Sequence, residues 1–204
     1  MIVMAIGAHP DDIELGMGGT LIKHIKRGDE VIYVVLSKGE KSGNPDKRER
    51  ELMDVIKYLG IKKYALGDFP DTYFPKYFHE IKDYLEDLIR KYNPRRIYTH
   101  SLNDVHQDHS TVARASIIAG RKVGEILCYM GPTNYNRFKP TYFVDISDVI
   151  NEKIKLLKFH SSQLDKYYAN PEYVLGLCRA FGYMSMREYA EGFEVIRFIE
   201  DLMR

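Results

Sequence analysis

The stretch Ala8-His9-Pro10-Asp11-Asp12-Ile13-Glu14-Leu15-Gly16 decides how the chain is read. An apolar run over residues 2–6 precedes it, and an amphipathic run over residues 15–25 follows. The first pattern predicts a short buried strand and the second a helix. His9 therefore falls where a strand gives way to a helix. Pro10 suits the first helical position, where its missing N–H would be unpaired anyway, and it biases His9 toward an extended conformation. Asp11 and Asp12 then belong to the first turn, where the helix dipole favours negative charge. One imidazole and two carboxylates are crowded into four residues at the carboxyl end of a strand, the place where open α/β sheets bind ligands.

Working outward, strand and helix patterns alternate. Helices are predicted over residues 11–27, 47–59, 77–92, 110–120 and 149–159, with further helix around 172–177 and 186–190. Strands are predicted over 30–36, 63–66, 96–99, 125–130 and 141–145, with an extra strand or a docked tail at 194–199. Residues 37–46 read as a Gly/Pro/Ser loop. Repeated β-α-β units joined by short loops imply an α/β fold with a mostly parallel sheet covered by helices on both faces. No internal repeat and no linker divides the chain, so a single domain over 1–204 is expected.

The 204 residues are enough for one large domain with a real core. A formal net charge of +1 gives no bulk pull toward nucleic acid or a membrane surface. No apolar run approaches the roughly 20 residues that span a bilayer. The N-terminal apolar stretch lacks a basic n-region and reads as a first strand rather than a signal peptide. Cys128 and Cys178 make no disulfide framework, so a cytoplasmic location is expected.

Residues 101–109, Ser-Leu-Asn-Asp-Val-His-Gln-Asp-His, repeat the context of the first motif, following one predicted strand and preceding a helix. His106 and His109 are three apart and share a face at a helix start. If both strands are central, His9, Asp12 and His109 meet around one ion. Two imidazoles and one carboxylate with an open position form a catalytic zinc set; zinc brings the pKa of bound water to about 7. Asp11 is then the candidate general base, and a protonated His106 the group that stabilises the oxyanion or protonates the leaving amine. The helix N-terminus should depress the Asp11 pKa, while burial pushes the other way. Alone, the His-Pro-Asp-Asp run equally fits ordinary helix capping. Its pairing with a second motif at a second strand-to-helix junction favours the metal.

At these residues the sequence resembles the PIG-L/LmbE-like zinc-dependent N-deacetylases. The family's opening AHPDDE with a following GG reads AHPDDIELGMGGT here, with the glutamate displaced to Glu14. Its late HPDH or HxDH pattern reads HQDH at residues 106–109. KRERELMDVIKYLG, ALGDFPD, FVDISDVINEKIKLLKFHSSQ and YAEGFEVIR extend the likeness over essentially the whole chain. The resemblance implies a Rossmann-like three-layer α/β/α fold and removal of an acetyl group from an N-acetylated, GlcNAc-type amino sugar. It implies Zn2+, or another divalent metal, held by His9, Asp12 and His109. Asp11 matches the general base and His106 the oxyanion or acid histidine. Arg48 and Asp71 match positions that contact the sugar, and Asp108 a carboxylate that orients a histidine. It also implies a small-molecule partner and a homo-oligomer, trimer or hexamer. Two rivals are another zinc amidohydrolase reaction on an acylated metabolite, and a metal that merely staples the loops, which would show a fourth protein ligand.

Other residues have readings of their own. Gly16, Gly18 and Gly19 read as close helix packing rather than a dinucleotide fingerprint. His160 rims the site or caps a helix end. His24 and His79 read as surface residues, and His100 as buried and hydrogen-bonded. Residues 38–50 read as a solvated loop or a mobile basic rim. Tyr73, Phe74, Tyr77 and Phe78 could form a sugar wall, an oligomer contact or core.

Overall fold

The computed structural model of the chain describes residues 1–134 and 136–199. The expected single domain also spans residues 135 and 200–204, which lie outside the described residues. Five strands run parallel: β1 (Ile2–Gly7), β2 (Glu30–Val35), β3 (Lys63–Leu66), β4 (Arg96–His100) and β5 (Glu125–Tyr129). β6 (Tyr142–Asp145) and β7 (Ala190–Arg197) complete one sheet in the order β3-β2-β1-β4-β5-β7-β6, with β7 reversed. The helices are α1 (Asp12–Lys26), α2 (Pro45–Tyr58), α3 (Phe78–Tyr92), α4 (Gln107–Ala119), α5 (Ile150–Leu157) and α6 (Pro171–Ser185).

Side chains of β1 alternate between two cores. Met4 and Ile6 join Ile81 and Leu85 of α3 and Val112 of α4. Val3 and Ala5 join Met17 and Leu21 of α1 and Leu52 of α2 on the other face. Burial on both faces is what a parallel sheet requires, and the result is the expected α/β/α sandwich. The chain winds outward from β1 to β3, returns, and winds the other way from β4. The loops after β1 and β4 therefore flank the crevice at this switch point.

α1 is interrupted at Met17, whose φ of −148° is not helical. The break costs helical hydrogen bonds, and a buried ion pair replaces them. Lys153 Nζ donates to the carbonyls of Glu14 and Leu15 at 2.9 and 2.8 Å. Glu191 accepts the amides of Gly19 and Thr20 at 2.9 and 2.6 Å. Lys153 and Glu191 meet at 2.6 Å. Ammonium at one broken end and carboxylate at the other match the partial charges of the two helix ends. The glycines beside the break are there for close approach: a Cβ on Gly16 would fall 2.2 Å from the Tyr129 ring, and one on Gly19 2.8 Å from Ile146.

Several expectations are corrected. Pro10 lies in the turn, and Asp11 is the residue before the helix, with φ +104°. α4 starts at Gln107 rather than at residue 110, because His106 caps it by accepting the Asp108 amide through its side chain. α6 is one continuous helix to Ser185. Residues 186–190 are not helical: Met186 ends α6 with φ +60° and Ala190 opens β7. Residues 190–197 form an interior strand, not a tail. Among the described residues no helix is long and apolar enough to cross a membrane.

Candidate active site

The turn after β1 aims its side chains by an unusual backbone. Asp11 at φ +104° is strained, a conformation that Asp tolerates better than most residues. Arg48 holds the turn, donating to the Pro10 carbonyl at 2.6 Å and to Gly39 at 2.8 Å, with its guanidinium 3.5 Å from Asp11 Oδ1. Asp12 folds back to accept the His9 amide at 2.7 Å.

The motif after β4 completes the cluster. His9, Asp12 and His109 bring donor atoms within 4.8 Å of one another, and all three are buried. His109 Nε2 lies 3.3 Å from His9 Nδ1. The outer nitrogens face carboxylates: His9 Nε2 is 3.0 Å from Asp71 and 3.2 Å from Asp108, and His109 Nδ1 is 3.0 Å from Asp104. Once the rings are neutral, as metal binding requires, those contacts favour the remaining protons outside and leave two lone pairs inward beside Asp12. Among the described residues two other donor trios exist, His9-His106-Asp108 and His100-Asp104-His109. In both, ring nitrogen and carboxylate are already partners of each other.

The electrostatics describe a place for a cation. Burial lowers the His109 pKa, but Asp12 and Asp104 outweigh it and bring it up to about 9. His9 is likewise raised, with Asp108, Asp12 and Asp71 overcoming burial. Asp12 is held well below the usual carboxylate range by His109 and His100, against burial. Protons on the imidazoles thus balance the crowded carboxylates, and a divalent ion on the same donors would balance them as well. The donor set fits zinc, with three N/O ligands and room beyond.

A cavity of about 110 Å³ opens over this cluster, bordered by His9, Asp11, Asp12, Leu15, Ser42, Arg48, Asp71, Thr72, His106, His109, Pro132, Thr133 and Tyr168. Two buried polar atoms on its lining residues lack partners, Asp11 Oδ2 and Arg48 Nε. Burial pushes the Asp11 pKa up to about 6, more than the Arg48 guanidinium pulls it down. Burial prevails over the helix end. His106 differs from the expectation of a protonated ring. Burial and the imidazoles of His109 and His9 lower its pKa. Its Nδ1 accepts the Asp108 amide at 3.2 Å, which leaves the proton on Nε2.

The structure thus brings together all eight residues singled out from the sequence. Arg48 and Asp71, expected to contact a sugar, also serve the protein: Arg48 braces the Asp11 turn, and Asp71 binds His9 and the Lys41 amide at 3.0 Å. Asp108 faces His9 while accepting the amides of Thr72 and Phe74 at 2.6 and 3.2 Å. The sequence reading missed Asp104, although its Asx turn onto the His106 amide is a legible signal.

The remaining expectations resolve as follows. His100 is buried, with Nε2 accepting the Ala8 amide at 3.1 Å, and its ring stacks on His109 at 4.0 Å. His160 sits one layer behind Asp11, 3.0 Å from Glu14, whose other oxygen takes the Tyr33 hydroxyl. His79 is exposed, but His24 is buried, between Asp29 and Tyr98. The loop before α2 is solvent-exposed over residues 40–43, as the solvated reading expects, and is joined to the site where Glu40 accepts the Asp71 amide and Asp71 the Lys41 amide. Phe74 is core, whereas Tyr73 and Tyr77 are exposed.

The family model PIG-L, GlcNAc-PI de-N-acetylase, matches residues 4–119. An Escherichia coli K12 protein named uncharacterized deacetylase YaiS is 34% identical over 78% of this chain and 90% of its own. Diacetylchitobiose deacetylase of Thermococcus kodakarensis is 31% identical over 97% of this chain and 82% of its own. The solved structure of N,N'-diacetylchitobiose deacetylase from Pyrococcus horikoshii superposes with a TM-score of 0.82 at 25% identity, covering 96% of this chain and 83% of that one.

Proposed function

The chain belongs to the PIG-L deacetylase family, and from that premise we propose that it removes the acetyl group from an N-acetylated amino sugar or glycoside, with a metal ion held by His9, Asp12 and His109. The observation that carries the reading is Asp11 Oδ2, buried without a partner on the cavity wall beside the three converging donors. Zinc on these donors would polarise the amide carbonyl and acidify water beside it.

The chain's own residues supply the rest. Asp11 takes a proton from the water that attacks the amide carbon. Arg48 braces that carboxylate and keeps its pKa from rising further. His106, neutral with its proton on Nε2, donates to the carbonyl oxygen as negative charge develops there. The proton on Asp11 then passes to the amide nitrogen as the C–N bond breaks, giving acetic acid and an amine, and the acid proton moves on to the amine to leave acetate and an ammonium group. Asp71 and Asp108 keep the His9 ring turned. Arg48 Nε, left unpaired, is a donor for a sugar oxygen.

The test is acetate release from metal-loaded protein offered N-acetylglucosamine, diacetylchitobiose, N-acetylglucosaminides of acidic aglycones and acylated glycopeptides. Release from at least one sugar, abolished by a chelator and restored by zinc, is expected. Full metal occupancy with no acetate from any of them would overturn the reading.

A further inference from the structure

We propose that Asp104 is the positioning residue that fixes His109 as a metal donor, and that position 131 is glycine so that the two can meet. The inference rests on the metal reading above. The Asp104 side chain is fully buried, with Oδ2 3.0 Å from His109 Nδ1. Its Oδ1 accepts the His106 amide at 2.9 Å and the Thr133 hydroxyl. Donors from three places thus leave the carboxylate one orientation. When the ring gives up its other proton to bind a metal, that orientation keeps a proton on Nδ1 and turns the Nε2 lone pair toward Asp12 and His9, the arrangement a carboxylate–histidine–metal triad requires.

Gly131 closes the pair from the other side. A Cβ there would lie 2.5 Å from Asp104 Oδ2 and 3.3 Å from His109 Nδ1. The Gly131 amide is held by Asn134 Oδ1 at 2.6 Å, so the backbone is not free to retreat. Neither Asp104 nor Gly131 borders the cavity over the donors. Both act through His109, without touching a substrate.

The experiment measures the zinc Kd of metal-stripped protein by competition with a chromophoric chelator, for the parent, Asp104→Asn, Asp104→Ala and Gly131→Ala. The expected loss is about 10–100-fold, smaller for Asp104→Asn, which keeps an acceptor, than for Asp104→Ala. The cobalt-substituted variants should also show altered d–d bands. A merely structural role would lower the Tm of the stripped protein and leave the zinc Kd and the cobalt spectrum unchanged. Kd values within twofold of the parent in the folded variants overturn the inference; if the Asp104 variants do not fold, Gly131→Ala decides alone. A parent that binds no zinc overturns the metal reading itself, which is a separable result.

Discussion

His9 and His24 lie before and within α1, toward opposite ends of the sheet, and both are buried against carboxylates. At His24 the network closes. One ring nitrogen is 2.7 Å from Asp29 and the other 2.8 Å from the Tyr98 hydroxyl. Arg96 joins Tyr98 to Glu125. At His9 the network stays open, with ring nitrogens facing each other and Asp11 Oδ2 and Arg48 Nε unpaired. The same residue types make a closed brace at one end and, at the other, an open cluster on which the proposed chemistry is placed. The difference lies in what burial leaves unsatisfied, a condition most native polar groups avoid.

Three results would break or sharpen this contrast. The largest effect is expected for Asp11→Asn. Asn tolerates the same positive φ, so the turn survives while the base is lost. Turnover should fall about 10²–10⁴-fold, with zinc content and urea midpoint close to the parent. Parental turnover in that variant would remove Asp11 from the chemistry.

The reverse pattern belongs to His24→Phe. It strands Asp29 and the Tyr98 hydroxyl with fewer partners and should cost about 1–3 kcal/mol in urea unfolding. Activity per folded molecule should not change. A variant that lost activity at full stability would mean that this end is more than a brace.

The smallest effect is a pH dependence of that cost. Burial lowers the His24 pKa despite Asp29, so the folded protein binds its proton less readily than the unfolded chain. Its contribution is full above the unfolded pKa of about 6.5 and declines as pH falls below it. Asp29 is depressed to about 2, chiefly by His24 and its cationic neighbours against burial, so its contribution holds until pH falls below about 4. Between pH 7.5 and 5 the advantage of the parent over His24→Phe should therefore shrink. A gap that widened in urea midpoints would mean that the folded protein holds His24 charged.

Much of the molecule was legible in the sequence because local pattern carried it. The apolar runs of β1 and β2, the short strand pattern of β4 and the two His/Asp turns that follow strands placed both halves of the site at one switch point. What escaped depends on contacts across long separations. His24 reads as an ordinary helix-surface residue until Tyr98, 74 positions away, is brought against it. The turn at Asp11 is braced by Arg48, which is 37 positions away. Residues 186–190 carry apolar side chains at helical spacing, yet the turn at Met186 is needed to bring Glu191 under α1. Asp104 escaped although Asp two residues before His106 is a turn-forming pattern, and the partner of its second oxygen has no local signal at all.

The break in α1 ties the first turn of the motif to distant parts of the chain. Lys153 and Glu191, which replace the missing helical bonds, come from α5 and β7, and His160 presses on Glu14 from the same side. A chain cut after α4 would keep His9, Asp11, Asp12, His106 and His109, every group assigned to the chemistry. It would lose the ammonium and carboxylate that mend the helix beneath them. The C-terminal half therefore serves as a keystone for residues it never adjoins in sequence, because the broken helix under the His-Pro-Asp-Asp turn finds its missing partners there.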